Sequence, residues 1–580
     1  MPSGQAFRHS PNPSCRQWPP MATSKCVSAL LQRTSSRSGT WIETKSKRPR
    51  GGMGYSTTTR SSTPLLPPRS ISASAAAARH RLVDWIERRP ADPHLTLHLA
   101  NLEAESPDSD QTRLELFNDV LRAGNAAPVV SSEPMPHPLH LRVDRTALID
   151  RADGPLVTVI MPAFNAQETI AAALGSLLAQ THRQLQIIVV DDASSDATVA
   201  IAETLAAQDN RISVIAQARN GGAYAARNTG LERAAGAFVT VHDADDWAHP
   251  ERIERQVRHL EGAPAVPANA THWLRADPSM IFQAHGRHPY KIVGKSTASL
   301  MVRRELFGVV GPWDNALRGA ADFEFLKRVE TRFGAVHHLS RFLPLAVSLR
   351  TPGSLTGESA TGIRSLWHVN GARRQYLEAF TAWNLDENFP ATLPFDSRVA
   401  ARPFPVPALL TGGKADSSVD VVVTADFTSG SNSARPALHD VNGAVRDGRS
   451  VALWHQPDSL DALERRFEPA VVDALRDGRA RMLSSGETVH CIELHQHGSG
   501  PAGGSLDGAR KSWSTPPFRV ARRCCPPSGR GCRTPRWKDQ RCGRGRTPSA
   551  LGAARQCRHR AAPGRGLVPD RSRRHRPQNS

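Results

Sequence analysis

At 580 residues the chain is too long for one ordinary hydrophobic core, and roughly two to four folded units are expected. It holds 74 Lys/Arg against 54 Asp/Glu, but residues 1–80 carry 12 basic side chains and one acid, and residues 501–580 carry 20 and three. Residues 81–500 are therefore net −8, and the basic pI gives no reason to assign the middle of the chain a nucleic-acid or anionic-surface role.

Both ends are rich in Arg, Ser, Pro and Gly and lack aliphatic runs, so neither buries enough apolar surface to offset its ordering entropy. Disorder is expected for 1–76 and 496–580. The first stretch has the composition of a transit peptide or of sequence ahead of a later start at Met21 or Met53, and the last has that of a gene read out of frame. Seven of the eight cysteines lie in these ends, without a C-x-x-C pair, so neither a disulfide framework nor a zinc site is expected of them. No apolar run reaches 18 residues, which predicts no membrane-spanning helix.

Between 77 and 124 apolar residues recur at helical spacing (Leu82, Trp85, Ile86; Leu95, Leu99; Leu114, Leu121), broken at Asp92-Pro93 and Pro107-Asp108. That spacing predicts two or three short helices, a hairpin that fills 77–150 with its linker. From Leu156 the pattern becomes strand, helix, strand. Strands are expected at 156–161 (stopped by Pro162), 185–190, 212–216 and 237–241, with helices at 168–180, 196–207, 223–234 and 250–260 between and after them. Such βα alternation calls for a parallel sheet covered on both faces, with ligands beyond the carboxyl ends of its strands.

Acidic residues collect at those ends. Asp191 and Asp192 close the second strand, where Ser194 or Ser195 would cap the next helix. Adjacent carboxylates repel one another, and a donor from a base or ribose gives them a reason to stand together. Asp243, Asp245 and Asp246 follow the fourth strand. If the backbone is still extended there, Asp243 and Asp245 point to one side, a pair of oxygen ligands suited to Mg²⁺ or Mn²⁺. Taken alone the same string reads as a solvated acidic turn.

The ordered pieces Val159 to Asn165, Ile188 to Ser194, Asn220 to Gly230 and His242 to Trp247 resemble the inverting family 2 glycosyltransferases of GT-A fold. The resemblance implies an α/β Rossmann-like mixed sheet over 155–350 and transfer of a sugar from a nucleoside diphosphate donor to a glycan or lipid-linked acceptor. Pro162 and Asn165 would line the nucleotide pocket. Asp192 would contact the base with Asp191 beside it on the donor side, Asn220, Gly222 and Arg227 would lie near the nucleotide, and Asp243 would serve ribose and metal. Asp245 and Asp246 both stand as the principal ligand of a divalent cation, Mg²⁺ or Mn²⁺. The acceptor's base is usually an acid at the start of a later helix. Here Asp322 fits that position and Glu324 is its neighbour, while Ala321 replaces the expected preceding Glu. An acidic first turn complementing the helix dipole is the plain alternative. Trp313 and the turn at 353–356 look family-like on the acceptor side, with Trp313 equally readable as core. His337 and His338 read as structural ahead of metal-ligating.

Past a helical extension and linker at 351–415, residues 416–495 read as β-α-β and resemble the start of the N-terminal half of a GT-B glycosyltransferase, expected to be catalytically incomplete. The Gly/Ser-rich stretch 429–433 after its first strand is a weak candidate phosphate loop. Other readings of the whole are a non-catalytic nucleotide-sugar or glycan-binding module and, less well, a nucleotidyltransferase, for which 162–165 lacks the Gly-rich basic loop. No specific nucleic acid is expected as a partner. The expected place is cytoplasmic, with peripheral contact at the inner face of the membrane.

Overall fold

The computed structural model describes residues 75–497 except 105–109, 132–136, 152, 285–289, 340–341, 352–370, 459–464 and 485–486, together with 519–522. The turn at 353–356 and all cysteines but Cys491 lie outside the described residues.

Three helices come first: α1 (Ala75–Arg88), α2 (Pro93–Glu103) and α3 (Asp110–Ala123). α2 starts where the proline fixes φ and Asp92 caps the His94 N–H at 3.1 Å. β1 (Val129–Ser131) and β2 (Leu141–Val143) then pair antiparallel. Their three residues apiece are too short for an alternation pattern to announce them.

The alternating region follows as β3 (Val157–Ala163), α4 (Ile170–Leu178), β4 (Leu185–Asp191), α5 (Thr198–Gln208), β5 (Ile212–Ala216), α6 (Ala223–Leu231) and β6 (Phe238–Val241). Every residue of β3 is buried, as a central strand covered on both faces requires. β3 does not stop at Pro162, which stays in register with Val190 of β4. In the ladder Ala163 faces β4, since its carbonyl accepts from Asp192 N. Pro162 therefore faces the β6 side, where pairing has already ended at Ile160, and its missing N–H costs no ladder bond.

Beyond β6 come β7 (Asp246–Ala248), α7 (Arg252–Gly262), β8 (Ala268–Ala270), β9 (His272–Ala276), β10 (Phe282–Gln283), β11 (Gly294–Lys295) and β12 (Met301–Arg303). After them lie α8 (Phe307–Val310), α9 (Ala321–Phe333), β13 (His337–His338) and β14 (Pro344–Leu349). The main sheet is mixed, in the order β13-β8-β12-β6-β3-β4-β5, with β12 antiparallel to both neighbours. A second sheet, β10-β9-β14-β7 with β11 also on β9, packs its apolar face on α1 to α3. Leu97, Leu116 and Phe117 share one core there with Trp247, Leu274 and Leu345, and the Trp247 indole N–H bonds to Leu141 O at 2.9 Å.

α10 (Gly371–Asn384) and the irregular chain to about 411 lie against α9 through a cluster of Tyr376, Trp383, Phe389, Phe395 and Phe404. The remaining elements are β15 (Ser418–Ala425), α11 (Ala434–Arg446), β16 (Val451–His455), α12 (Pro469–Arg476), β17 (Ala480–Met482), β18 (Thr488–Gln496) and β19 (Arg519–Arg522). They form an all-parallel sheet in the order β17-β16-β15-β18-β19. β19 lies in a stretch whose composition gave no sign of a strand. Among the described residues no helix is long and apolar enough to cross a membrane.

Candidate active site

β4 ends in Asp191 and Asp192, both buried. Asp192 accepts the Gly221 and Gly222 N–H groups, one on each carboxylate oxygen, at 2.7 Å. This clamp holds the turn ahead of α6, where Gly222 sits at φ 90°, a conformation open to glycine. A carboxylate has about four lone-pair sites, so the clamped group keeps acceptor capacity toward a ligand. Asp191 takes the Ser194 N–H at 3.0 Å, while its other oxygen is buried without a partner. Ser194 and Ser195 do not cap α5. The Ser194 hydroxyl takes the Asn165 N–H at 2.8 Å, the Asn165 side chain takes the Ser195 N–H at 2.9 Å, and Asp196 supplies the cap at Thr198 N. The loops after β3 and β4 are thus laced together, with Asn165 at φ 47°. Asn220 is half-buried and accepts from Arg318 Nη1 at 2.5 Å.

The acidic cluster is not an extended run. Asp246 N bonds to Asp243 O at 3.2 Å, closing a turn that passes the chain from β6 in the main sheet to β7 in the second. The three carboxylates still converge, because the turn folds them together. Arg227, on α6, donates to Asp243 at 2.8 Å. Burial, then Asp243, pushes the Asp245 carboxyl up to about 7. Burial, then Asp245 and Asp243, pushes Asp246 well above the usual carboxylate range, and its Oδ1 is buried with no hydrogen-bond partner. Three crowded carboxylates with an orphaned oxygen fit a hard divalent cation better than they fit a solvated turn. Arg275, on β9, brings positive charge to Asp246 and Asp245, and burial lowers its own pKa to about 10.

Asp322, in the first turn of α9, accepts from the Tyr224 hydroxyl at 2.9 Å and from the Thr297 hydroxyl at 2.5 Å. The Arg227 guanidinium lies 5.1 Å from the Tyr224 ring centroid. A continuous path, Asp243–Arg227–Tyr224–Asp322, therefore joins the acidic turn to α9. Glu324 is not brought there. Two residues along a helix is more than half a turn around it, and Glu324 points into the core as a fully buried pair with Arg328, at 2.7 Å on both oxygens.

Ala321, at the position of the expected Glu, also packs in that core. Trp313 is core as well, packed at tilted angles against Phe307 and Phe325. His337 and His338 sit on the far edge strand of the main sheet beside His259 and His272, strands away from the acidic turn. In the C-terminal sheet the 429–433 loop spends N–H groups on its own protein: Gly430 N donates to Glu468, Ser429 N to Arg466 O and Ser431 N to Thr428 O. Tyr224, Thr297 and Arg275 were not assigned a role from sequence. Tyr224 lies inside a quoted motif, but the other two come from segments with no local pattern.

An α/β domain with an acidic cluster flanked by arginines at the carboxyl ends of its strands is the class that this fold and site define. Residues 158–291 match the family model of glycosyl transferase family 2. The chain is 30% identical over 186 residues to the glycosyltransferase AglE of Haloferax volcanii, covering 30% of this chain and 61% of that relative. It is 40% identical over 111 residues to the succinoglycan biosynthesis protein ExoO of Rhizobium meliloti, covering 19% and 31%. The chain thus spans less than two thirds of either relative. Among solved structures, S. aureus TarS 1-349 in complex with UDP-GlcNAc shares 18% identity over 42% of this chain and 71% of that one, at a TM-score of 0.31.

Proposed function

We propose that residues 155–350 transfer a sugar, with inversion, from a nucleoside diphosphate sugar to a hydroxyl of a glycan or lipid-linked acceptor. In this reading 77–150 buttress the second sheet, 351–415 close the α9 side, and 416–495 form an accessory module that is catalytically incomplete. Work at the inner face of the membrane, in peripheral contact with it, goes with a lipid-linked acceptor.

The observation that carries the reading is the linked set Asp243–Arg227–Tyr224–Asp322, one end in a carboxylate cluster and the other in a hydroxyl-bonded acid. Pro162, Asn165, Asp191 and the clamped Asp192–Gly222 turn would frame the nucleoside, with Asn220 at the rim. Asp243, Asp245 and Asp246 would hold Mg²⁺ or Mn²⁺, which when bound would offset the charge of the diphosphate leaving group. Arg275 would offset part of the same charge. Asp322 would accept the acceptor hydroxyl's proton as that oxygen attacks the anomeric carbon in line and the bond to the diphosphate breaks. The Tyr224 and Thr297 hydroxyls hold its carboxylate in one orientation.

The test incubates the full chain with a panel of nucleotide sugars, Mn²⁺ and glycan acceptors and measures nucleoside diphosphate release. Release is expected from the native chain and not from Asp322→Ala or Asp245→Ala. Release that persists when both substitutions are combined would sink the mechanism.

A further inference from the structure

A second cluster of ligand-type side chains lies in the C-terminal sheet. β15 starts that sheet, β16 and β17 extend it one way, and β18 begins the other side. The chain order thus reverses between β15 and β18, and in open parallel sheets ligands gather at the carboxyl ends of the strands beside such a reversal. Near the end of β18, His495 and His497 are two apart and face one side, toward α11, which carries Asp440. His495 Nδ1 lies 2.6 Å and His497 Nε2 2.7 Å from the same oxygen, Asp440 Oδ2. All three ligand atoms lie within 4.8 Å of one another.

The surroundings add a second observation. The other ring nitrogen of His495 meets Glu493 Oε2 at 3.0 Å, and Glu493 is held in turn by Arg449 at 2.9 Å. A carboxylate that takes the far N–H of a ligating histidine fixes the tautomer that leaves the near nitrogen's lone pair free. The backbone is pinned at the same place, since His497 N donates to Thr424 O at 2.8 Å. Zinc bonds of about 2.0–2.2 Å at tetrahedral angles set ligand atoms roughly 3.3 Å apart, so small outward shifts of two rings admit an ion. The three side chains are 20–33% exposed, which leaves a coordination position open to water.

We propose that Asp440, His495 and His497 bind one divalent transition-metal ion of the zinc class and so pin α11 to the end of β18. The site differs in kind from the acidic turn. Its two imidazoles select zinc-like ions, whereas the all-oxygen set of Asp243, Asp245 and Asp246 suits Mg²⁺ or Mn²⁺.

The full chain, stripped of metal and with its thiols alkylated, would be titrated with Co²⁺ and then Zn²⁺ in the presence of excess Mg²⁺. One Co²⁺ per chain with the visible bands of a four-coordinate site, displaced by one Zn²⁺, is the expected result. Asp245→Asn should leave both unchanged, and His497→Gln or Asp440→Asn should abolish them at unchanged circular dichroism. Glu493→Gln should weaken Zn²⁺ by roughly 10–100-fold. Equal uptake and equal bands in the native chain and in folded Asp440→Asn and His497→Gln overturn the proposal, as does loss of the site in Asp245→Asn. If a histidine variant fails to fold, Asp440→Asn and Glu493→Gln decide it, because each replaces a carboxylate by an amide of the same shape.

Discussion

Asp322 and Glu324 are two residues apart in one helical turn, and burial separates their roles. Asp322 is half-buried between two hydroxyls at the end of the Asp243–Arg227–Tyr224 path, so Asp322→Asn is expected to lower kcat by about 10²–10⁴-fold while a donor nucleotide still raises the melting temperature. Glu324→Gln should do the reverse. It leaves Arg328 charged in a fully buried position, a loss of about 3–5 kcal/mol, read as a lower denaturant midpoint with kcat retained in the folded fraction. Asp245 carries a pH signature. Its carboxyl titrates near 3.8 when exposed and is raised to about 7 in the fold, so between those values the folded chain holds a proton that the unfolded chain has released. Stability without metal should therefore fall as pH rises from about 4 to about 7 and level off above. Bound Mn²⁺ favours the ionised carboxylates, so its gain in melting temperature should be larger at pH 8 than at pH 5. An equal gain at both, or the same pH slope in Asp245→Asn, would remove Asp245 from the proposed cation site.

At the scale of elements, the βα succession from β3 to β6 was legible because β3, β4 and β6 are buried on both faces and read as mainly apolar runs, while the edge strand β5 keeps a short β-branched run. The acidic turn was legible for the related reason that a cluster of charge directly after such a run has few structural uses. β1, β7 and β8 were not, being three residues each, and the second sheet was not, because its strands come from distant segments with no shared period. The helices of that region place the site by close approach. α6, which carries Arg227 and Tyr224, comes so near β3 that a Cβ on Gly230 would stand 2.5 Å from Ile160 Cγ2. Gly230→Ala gains about 1 kcal/mol of helix propensity, but overpacking costs about 1–3 kcal/mol, and contact this short lets the clash win. A lower urea midpoint is expected, with a fall in kcat as α6 moves Arg227 off Asp243. Unchanged stability would mean that β3 and α6 have room to spare.

Across the molecule, the sequence divided 77–150 from the domain after it, yet the structure gives them one core. Leu116 and Leu97 on the helices and Trp247 and Leu345 on the second sheet are all buried in the same cluster. Trp247 is one residue past Asp246, and Leu349, at the end of β14, donates its N–H to Asp245 O at 3.3 Å, so the acidic turn stands on that shared core. The N-terminal helices should therefore act as a floor for the acidic turn and unfold together with it. Leu116→Ala removes a fully buried side chain, at about 2–5 kcal/mol, and leaves a cavity under the sheet that carries β7. The melting curve should stay a single transition at lower temperature, and Mn²⁺ should recover part of the loss, because an ion that binds only the folded form stabilises by mass action. A chain that begins at residue 151 should expose Trp247, Leu274 and Leu345 and aggregate. Two separate transitions for Leu116→Ala, with the Mn²⁺-sensitive one unmoved, would show instead that the helices are a detachable neighbour and that the acidic turn holds its shape without them.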